Sequence, residues 1–313
     1  MSEKKSPAPD DSEQFAKVGR GVTLCYETFG DPGDSPILLI MGLGSQMTAW
    51  PNVFCERLAE GGHFVVRFDN RDCGRSWRAS HVPPPRPWQL ALRRFDADQY
   101  TLTDMTRDTA GLIDALELEP VHVVGVSMGG MIAQTLAAQY PEQVRSLVSI
   151  MSTTGARGQG RTHPSTVRLV LGPVARDEDA AVERSIRLFR HIGSRGFPFD
   201  EAAARERARL GYRRGFHPAG TGRQMGAIIK SGDRSAEVAR ITAPTLVLHG
   251  DHDPMVDPSG GRATAETIPG ARLQTIPGMG HDLPAGALEQ LAELILDHAA
   301  QAGSPVGAGL LAG

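Results

Sequence analysis

Val121-His122-Val123-Val124-Gly125-Val126-Ser127-Met128-Gly129-Gly130-Met131 is the stretch on which the fold reading turns. Val121 to Val126 is almost continuously apolar, as expected of a central strand covered on both faces. Met131 to Gln139 has helical spacing. Ser127 therefore falls on a sharp strand-to-helix turn, a position that exposes a nucleophile in a strained backbone geometry. Side chains two residues before and two after would clash with the neighbouring helix and strand, and Gly125 and Gly129 stand there. The helix N-terminus beside Ser127 also favours developing negative charge.

A serine hydroxyl is a poor nucleophile until a base takes its proton, so a histidine and an orienting carboxylate are expected elsewhere. His281 lies in Pro277-Gly278-Met279-Gly280-His281-Asp282, between a strand pattern at Leu273 to Ile276 and the last helix pattern. Loops at the carboxyl ends of strands are where open α/β sheets bind ligands. The carboxylate candidates follow the strand pattern Thr245 to Leu248 in His249-Gly250-Asp251-His252-Asp253-Pro254-Met255-Val256-Asp257. Asp253 is the choice, Asp251 reads as a turn former, and Asp257 comes third. His63, His122 and His249 read as packed or edge histidines.

Further strand patterns lie at Thr23 to Thr28, Ile37 to Met41, Phe64 to Phe68 and Leu147 to Met151. Strands alternating with helices argue for a mostly parallel sheet flanked by helices, an α/β class. Met105, Leu112, Ile113 and Leu116 share one helical face, with Thr103 expected as its N-cap. From 153 to 240 strand patterns stop and helical spacing such as Val182, Ile186 and Phe189 takes over. The expected organisation is a disordered leader (1–14), a first core part (15–152), a helical insertion (153–240), a second core part (241–300) closing on a helix near 287–299, and a flexible tail (301–313).

The chain has 313 residues, 40% hydrophobic and 22% charged, which suits a soluble globular protein of cytoplasmic type rather than a disordered one. Its 33 Lys/Arg against 36 Asp/Glu give a net charge of −3, so there is no global basic field for nucleic acid or an anionic membrane. The insertion, however, holds 17 Lys/Arg against 9 Asp/Glu. Its arginines, among them Arg184, Arg187, Arg190, Arg205, Arg207, Arg209, Arg213 and Arg214, read as a solvated face, with binding of acidic substrates the alternative. No apolar run has the roughly 18 residues of a membrane span. Three widely spaced cysteines, Cys25, Cys55 and Cys73, form neither a disulfide framework nor a zinc motif. No Walker or dinucleotide fingerprint is present, so no metal, nucleotide or flavin cofactor is expected.

Ser127, Asp253 and His281 stand in the order Ser, Asp, His. Gly250-Asp251-His252-Asp253 matches a GxxD acid turn and Gly278-Met279-Gly280-His281 a GxGH base loop. With these motifs the chain resembles the α/β-hydrolase superfamily over about residues 22 to 298, specifically a capped serine esterase, with the helical insertion where such a cap lies. Met41-Gly42-Leu43-Gly44 and Asp69-Asn70-Arg71-Asp72 are reminiscent of anthracycline methyl-esterase-like members. The resemblance implies an oxyanion hole formed by the backbone N–H groups of Leu43 and Met128. Met41 stands where relatives usually carry histidine. Asp69 to Ser76 resembles a DxRGxGxS loop, with Asp72 where glycine is usual; the loop reads as structural.

The implied function is hydrolysis of small to medium carboxylic esters through a Ser-His-Asp triad and an acyl-enzyme. Serine at 127 argues against relatives that use an aspartate nucleophile. Carbon–carbon bond hydrolases, perhydrolases and lactonases share the triad, and a non-catalytic ligand-binding member of the fold is a further alternative. Met47 and Trp50 are candidates to line an acyl pocket, with core packing the other reading. Cys73 reads as buried rather than reactive.

Overall fold

The computed structural model describes residues 12–118 and 120–303. Eight strands form one sheet in it: β1 (Gln14–Lys17), β2 (Thr23–Phe29), β3 (Ser35–Ile40), β4 (His63–Phe68), β5 (Val121–Val126), β6 (Val144–Ile150), β7 (Thr245–Gly250) and β8 (Arg272–Ile276). Their spatial order is β1-β2-β4-β3-β5-β6-β7-β8. β2 is antiparallel to both its neighbours, and every pairing from β4 to β8 is parallel. Side chains alternate across the pleat, so β3 sends Leu38 and Ile40 into one core and Ile37 and Leu39 into the other. Both faces therefore need covering, which accounts for the apolar run read in β5.

Helices α1 (Asn52–Glu60) and α2 (Pro87–Leu92) precede α3 (Leu102–Ala115), and α4 (Met128–Gln139) follows β5. α3 and α4 cover the first core through Met105, Leu112, Ile132 and Leu136. α1 covers the second with Phe54 and Leu58, alongside Leu291 and Ile295 of the last helix. The N-cap of α3 is Thr101, not Thr103: its hydroxyl accepts from the Asp104 amide while the Asp104 carboxylate accepts from the Thr101 amide. Thr101 has an acid three residues on to complete that reciprocal box, and Thr103 has none.

Between β6 and β7 run α5 (Pro164–Val170), α6 (Glu178–Ile192), α7 (Glu201–Gly215), α8 (Pro218–Ser231) and α9 (Ser235–Val238). These make up the helical cap. Beyond β7 come α10 (Ser259–Thr267) and α11 (Leu288–Gly303), the latter longer than expected. The expected leader also needs correction. Ser12 hydrogen-bonds Glu27, Glu13 pairs with Arg214 and Arg75, and Gln14 opens a strand too short and polar to show in the hydropathy pattern. The rest of that leader, residues 1–11, and tail residues 304–313 lie outside the described residues.

β3 and β5 are neighbours, yet the chain leaves β3 toward β4 and leaves β5 toward β6. Their carboxyl ends thus open a crevice at the point where strand order reverses, the usual ligand site of such sheets. Among the described residues no helix is long and apolar enough to cross a membrane.

Candidate active site

Ser127 follows β5 at that crevice with φ 55° and ψ −118°. A left-handed backbone at a non-glycine residue costs about 1–3 kcal/mol and persists only where the surroundings over-determine it. Here the Ser127 amide donates to Ile150 O at 2.9 Å, while Ser127 O accepts from the Met131 amide at 3.1 Å and Ser152 Oγ at 2.8 Å. A Cβ on Gly125 would lie 2.2 Å from Gly129 O, and one on Gly129 would lie 2.1 Å from Ile40 O. Glycine at both positions is thus a steric requirement.

His281, in the loop after β8, has Nε2 3.0 Å from Ser127 Oγ and Nδ1 2.7 Å from Asp253 Oδ2. With the Nδ1 proton donated to the carboxylate, Nε2 is left as the acceptor for the serine hydroxyl. Asp253, in the loop after β7, is fully enclosed, and its Oδ1 accepts from the amides of Met255 at 2.8 Å and Val256 at 2.9 Å. Burial works to raise this carboxyl. His281, a hydrogen bond from His249 and the Val256 amide outweigh it and hold Asp253 well below the ordinary carboxylate range. The other two acids of the turn face elsewhere: Asp251 accepts from the Gly278 amide and Asp257 from that of Ser259.

The loop after β3 closes on Ser127: a Cβ on Gly42 would lie 3.2 Å from Ser127 Cβ and 3.7 Å from its Oγ. Leu43 is the next residue along this loop, and Met128 is the first residue of α4. Among the described residues neither amide donates to a backbone carbonyl. Met47 and Trp50 are fully buried; the Met47 amide donates to Asp69, and Trp50 stacks on Phe54 in the core beneath the sheet. Packing accounts for both.

Several residues hold these loops through contacts that sequence motifs do not specify. Asn70 Nδ2 donates to Met41 O at 2.9 Å, so an amide side chain anchors the start of the loop that carries Leu43. His249 Nε2, 2.8 Å from Val256 O and 3.4 Å from Asp253 Oδ2, braces the acid turn. Its place four residues before Asp253 was the available signal. Ser194, just past α6, donates its hydroxyl to Asp282 Oδ1 at 2.5 Å and accepts from the Gly280 amide at 2.9 Å, while the His281 amide donates to Ile192 O at 2.7 Å. The base loop is therefore stapled to the cap.

The arginine-rich cap is not one solvated face. Arg205 pairs with Glu183 and Glu201, and Arg213 with Glu178, at the surface. Arg214, by contrast, is 3% exposed and reaches Asp69 at 2.5 Å and Glu13 at 2.6 Å. Burial works against its charge, and the two carboxylates more than offset this, raising its pKa above the ordinary arginine value. Arg223 likewise clasps Asp72 at 2.5 and 2.8 Å. Asp72 has φ 65°, a conformation that favours glycine, and here its side chain recruits the cap. Buried Arg234 donates to Met131 O and Thr153 O behind the nucleophile turn.

Burial pushes the thiols of Cys25 and Cys55 up to about 12 and that of Cys73 well above its ordinary value, so none is poised as a thiolate. Buried His122 hydrogen-bonds Ser146 and is held neutral by burial and by nearby His63 and Arg145, its pKa lowered to about 4.

The profile of the family described as alpha/beta hydrolase fold matches residues 35–285. The chain belongs to the α/β-hydrolase family. This hydrolase is 34% identical over 299 residues to the rhodomycin D methylesterase DauP of Streptomyces sp. (strain C5), a match covering 88% of this chain and 95% of that one. Identity to the rhodomycin D methylesterase DnrP of Streptomyces peucetius is 31%, with the same coverage of both chains. Among solved structures, the enol-lactonase from Burkholderia xenovorans LB400 shares the fold with a TM-score of 0.70 at 21% identity, covering 91% of this chain and 99% of that one. The enzyme is a serine hydrolase of carboxylesterase-like type, and its relatives support ester hydrolysis as its general chemistry.

Proposed function

We propose that this hydrolase cleaves the methyl ester of a small-molecule carboxylic acid through an acyl-enzyme on Ser127. The observation that carries the proposal is the unbroken line from Ser127 Oγ through His281 to Asp253, at 3.0 and 2.7 Å, beneath the Gly42 backbone. Methyl-ester specificity rests on the 34% identity to a methylesterase over most of both chains.

His281 Nε2 takes the Ser127 proton as Oγ attacks the ester carbonyl. The amides of Leu43 and Met128 stabilise the tetrahedral oxyanion, each such donor contributing about 10²- to 10³-fold in rate. Collapse expels methoxide, which leaves as methanol with the proton from His281. Water, deprotonated by the same imidazole, attacks the acyl-enzyme and releases the carboxylic acid. Asp253 fixes the imidazole tautomer and stabilises its cation without taking the proton.

The test is a series of methyl, ethyl and isopropyl esters of one aromatic acid, assayed with wild type and Ser127→Ala. The methyl ester is expected to be turned over best, and Ser127→Ala to lower kcat by about 10⁴-fold or more. Unchanged hydrolysis by Ser127→Ala would overturn the assignment of the nucleophile. A preference for the larger alcohols would overturn the methyl-ester reading alone.

A further inference from the structure

Gln224 lies on α8 with no exposed surface. A buried amide is tolerated when both its ends are satisfied. Those of Gln224 are satisfied by two different loops of the body. Its Oε1 accepts from the Gly44 amide at 2.8 Å, and its Nε2 donates to Arg71 O at 2.7 Å. Gly44 directly follows Leu43 and has φ 65°, so the chain reverses there. On the other side of Leu43, Met41 O is held at 2.9 Å by Asn70, the residue before Arg71. The Leu43 N–H belongs to the Gly42–Leu43 peptide, whose carbonyl accepts from the Ser45 amide at 3.2 Å, and this short turn is flanked by two side-chain anchors, Asn70 from the body on Met41 O and Gln224 from the cap on the Gly44 amide. Thr221, one turn before Gln224, packs on Gly44 so closely that a Cβ there would lie 2.8 Å from its hydroxyl oxygen. A backbone donor stabilises an oxyanion only while its N–H is aimed where the charge develops. With the Gln224 anchor removed, the Leu43–Gly44 peptide is freed, and with it the Gly42–Ser45 turn that fixes the plane of the Leu43 N–H.

We propose that Gln224 is a positioning residue for the oxyanion hole: through Gly44 and Arg71 it holds the Leu43 amide aimed at the substrate carbonyl, making a cap side chain part of transition-state stabilisation. This rests on the assignment of Ser127 as nucleophile and Leu43 as oxyanion donor given above. A residue that merely glued the cap to the body would affect stability and substrate affinity. A positioning residue affects the tetrahedral state selectively.

Gln224→Met removes both hydrogen bonds at similar volume. Gln224→Asn keeps an amide too short to span both loops. Each is compared with wild type for kcat, KM, thermal stability, inhibition by an aryl trifluoromethyl ketone that adds to Ser127 to form a tetrahedral oxyanion, and inhibition by the planar carboxylate product. For Gln224→Met the expectation is a 10- to 100-fold fall in kcat and in affinity for the ketone, with KM and product affinity within about twofold of wild type. Gln224→Asn should fall between the two and serves as the test should the methionine variant fail to fold. Wild-type kcat and ketone affinity in a folded variant would overturn the proposal. So would an equal loss of ketone and product affinity, since that marks general loosening. Failure of the underlying reading shows separately, as Ser127→Ala that still turns over ester or wild type that the ketone does not inhibit.

Discussion

Ser127 is held by backbone from its own helix at Met131 and from β6 at Ile150, with Ser152 beside it, whereas the loops carrying Leu43 and His281 are tied in addition to the cap, by residues up to 180 positions away. Gln224 and Arg214 anchor the first of these loops, the latter through Asp69 and the Met47 amide, and Ser194 anchors the second. The placement of Ser127 is thus a local product of strand, turn and helix, and the geometry around it depends on the insertion. One consequence is that the cap, fastened by buried ion pairs to the loop after β4, gives structural support to the site.

The largest expected effect lies on the histidine's partner. Asp253→Asn should lower kcat by about 10⁴-fold through the wrong imidazole tautomer, while Asp251→Asn and Asp257→Asn stay within about tenfold, read from steady-state kinetics on one methyl ester. A crippling Asp251→Asn would move the acid to the other end of the turn. Next is Arg214→Met, which leaves Asp69 buried without its cation and should lower the unfolding free energy by about 3–5 kcal/mol, measured by urea denaturation. Adding Asp69→Asn should recover part of that loss, because the orphaned charge goes with it; no recovery would mean that the pair contributes through packing alone. Smallest is Ser194→Ala, which removes one staple between cap and base loop. The Ser194 hydroxyl makes two hydrogen bonds, to Asp282 and from the Gly280 amide, each contributing about 1 kcal/mol net, which implies roughly a five- to thirtyfold fall in kcat with KM little changed. No change in kcat would confine the cap's influence to the oxyanion side.

This division also accounts for what was legible in the sequence. The parallel sheet, the turn at Ser127 and the helix after it are written in contiguous residues, whose period and glycine spacing can be read directly. Asp253 and His281, which the fold brings to Ser127, were named from short motifs at strand ends. Their anchors carry no such signature. Gln224 and Ser194 are ordinary polar residues whose partners lie on other elements, and only the folded chain shows those partners. Arg214 was misread for the same reason: seven of the arginines singled out with it carried no mark to distinguish them from the one that turns inward to Asp69. Strand β1 was missed because one edge strand of four residues, Gln14-Phe15-Ala16-Lys17, shows little alternation.

The central claim is that the folded turn makes Ser127 a nucleophile served by His281. Its most direct test is peptide-mapped mass spectrometry of the protein after reaction with an alkyl fluorophosphonate. The account predicts one adduct, on Ser127, absent from Ser127→Ala and strongly slowed in His281→Gln. An adduct on another residue, or labelling that persists in Ser127→Ala, would contradict it.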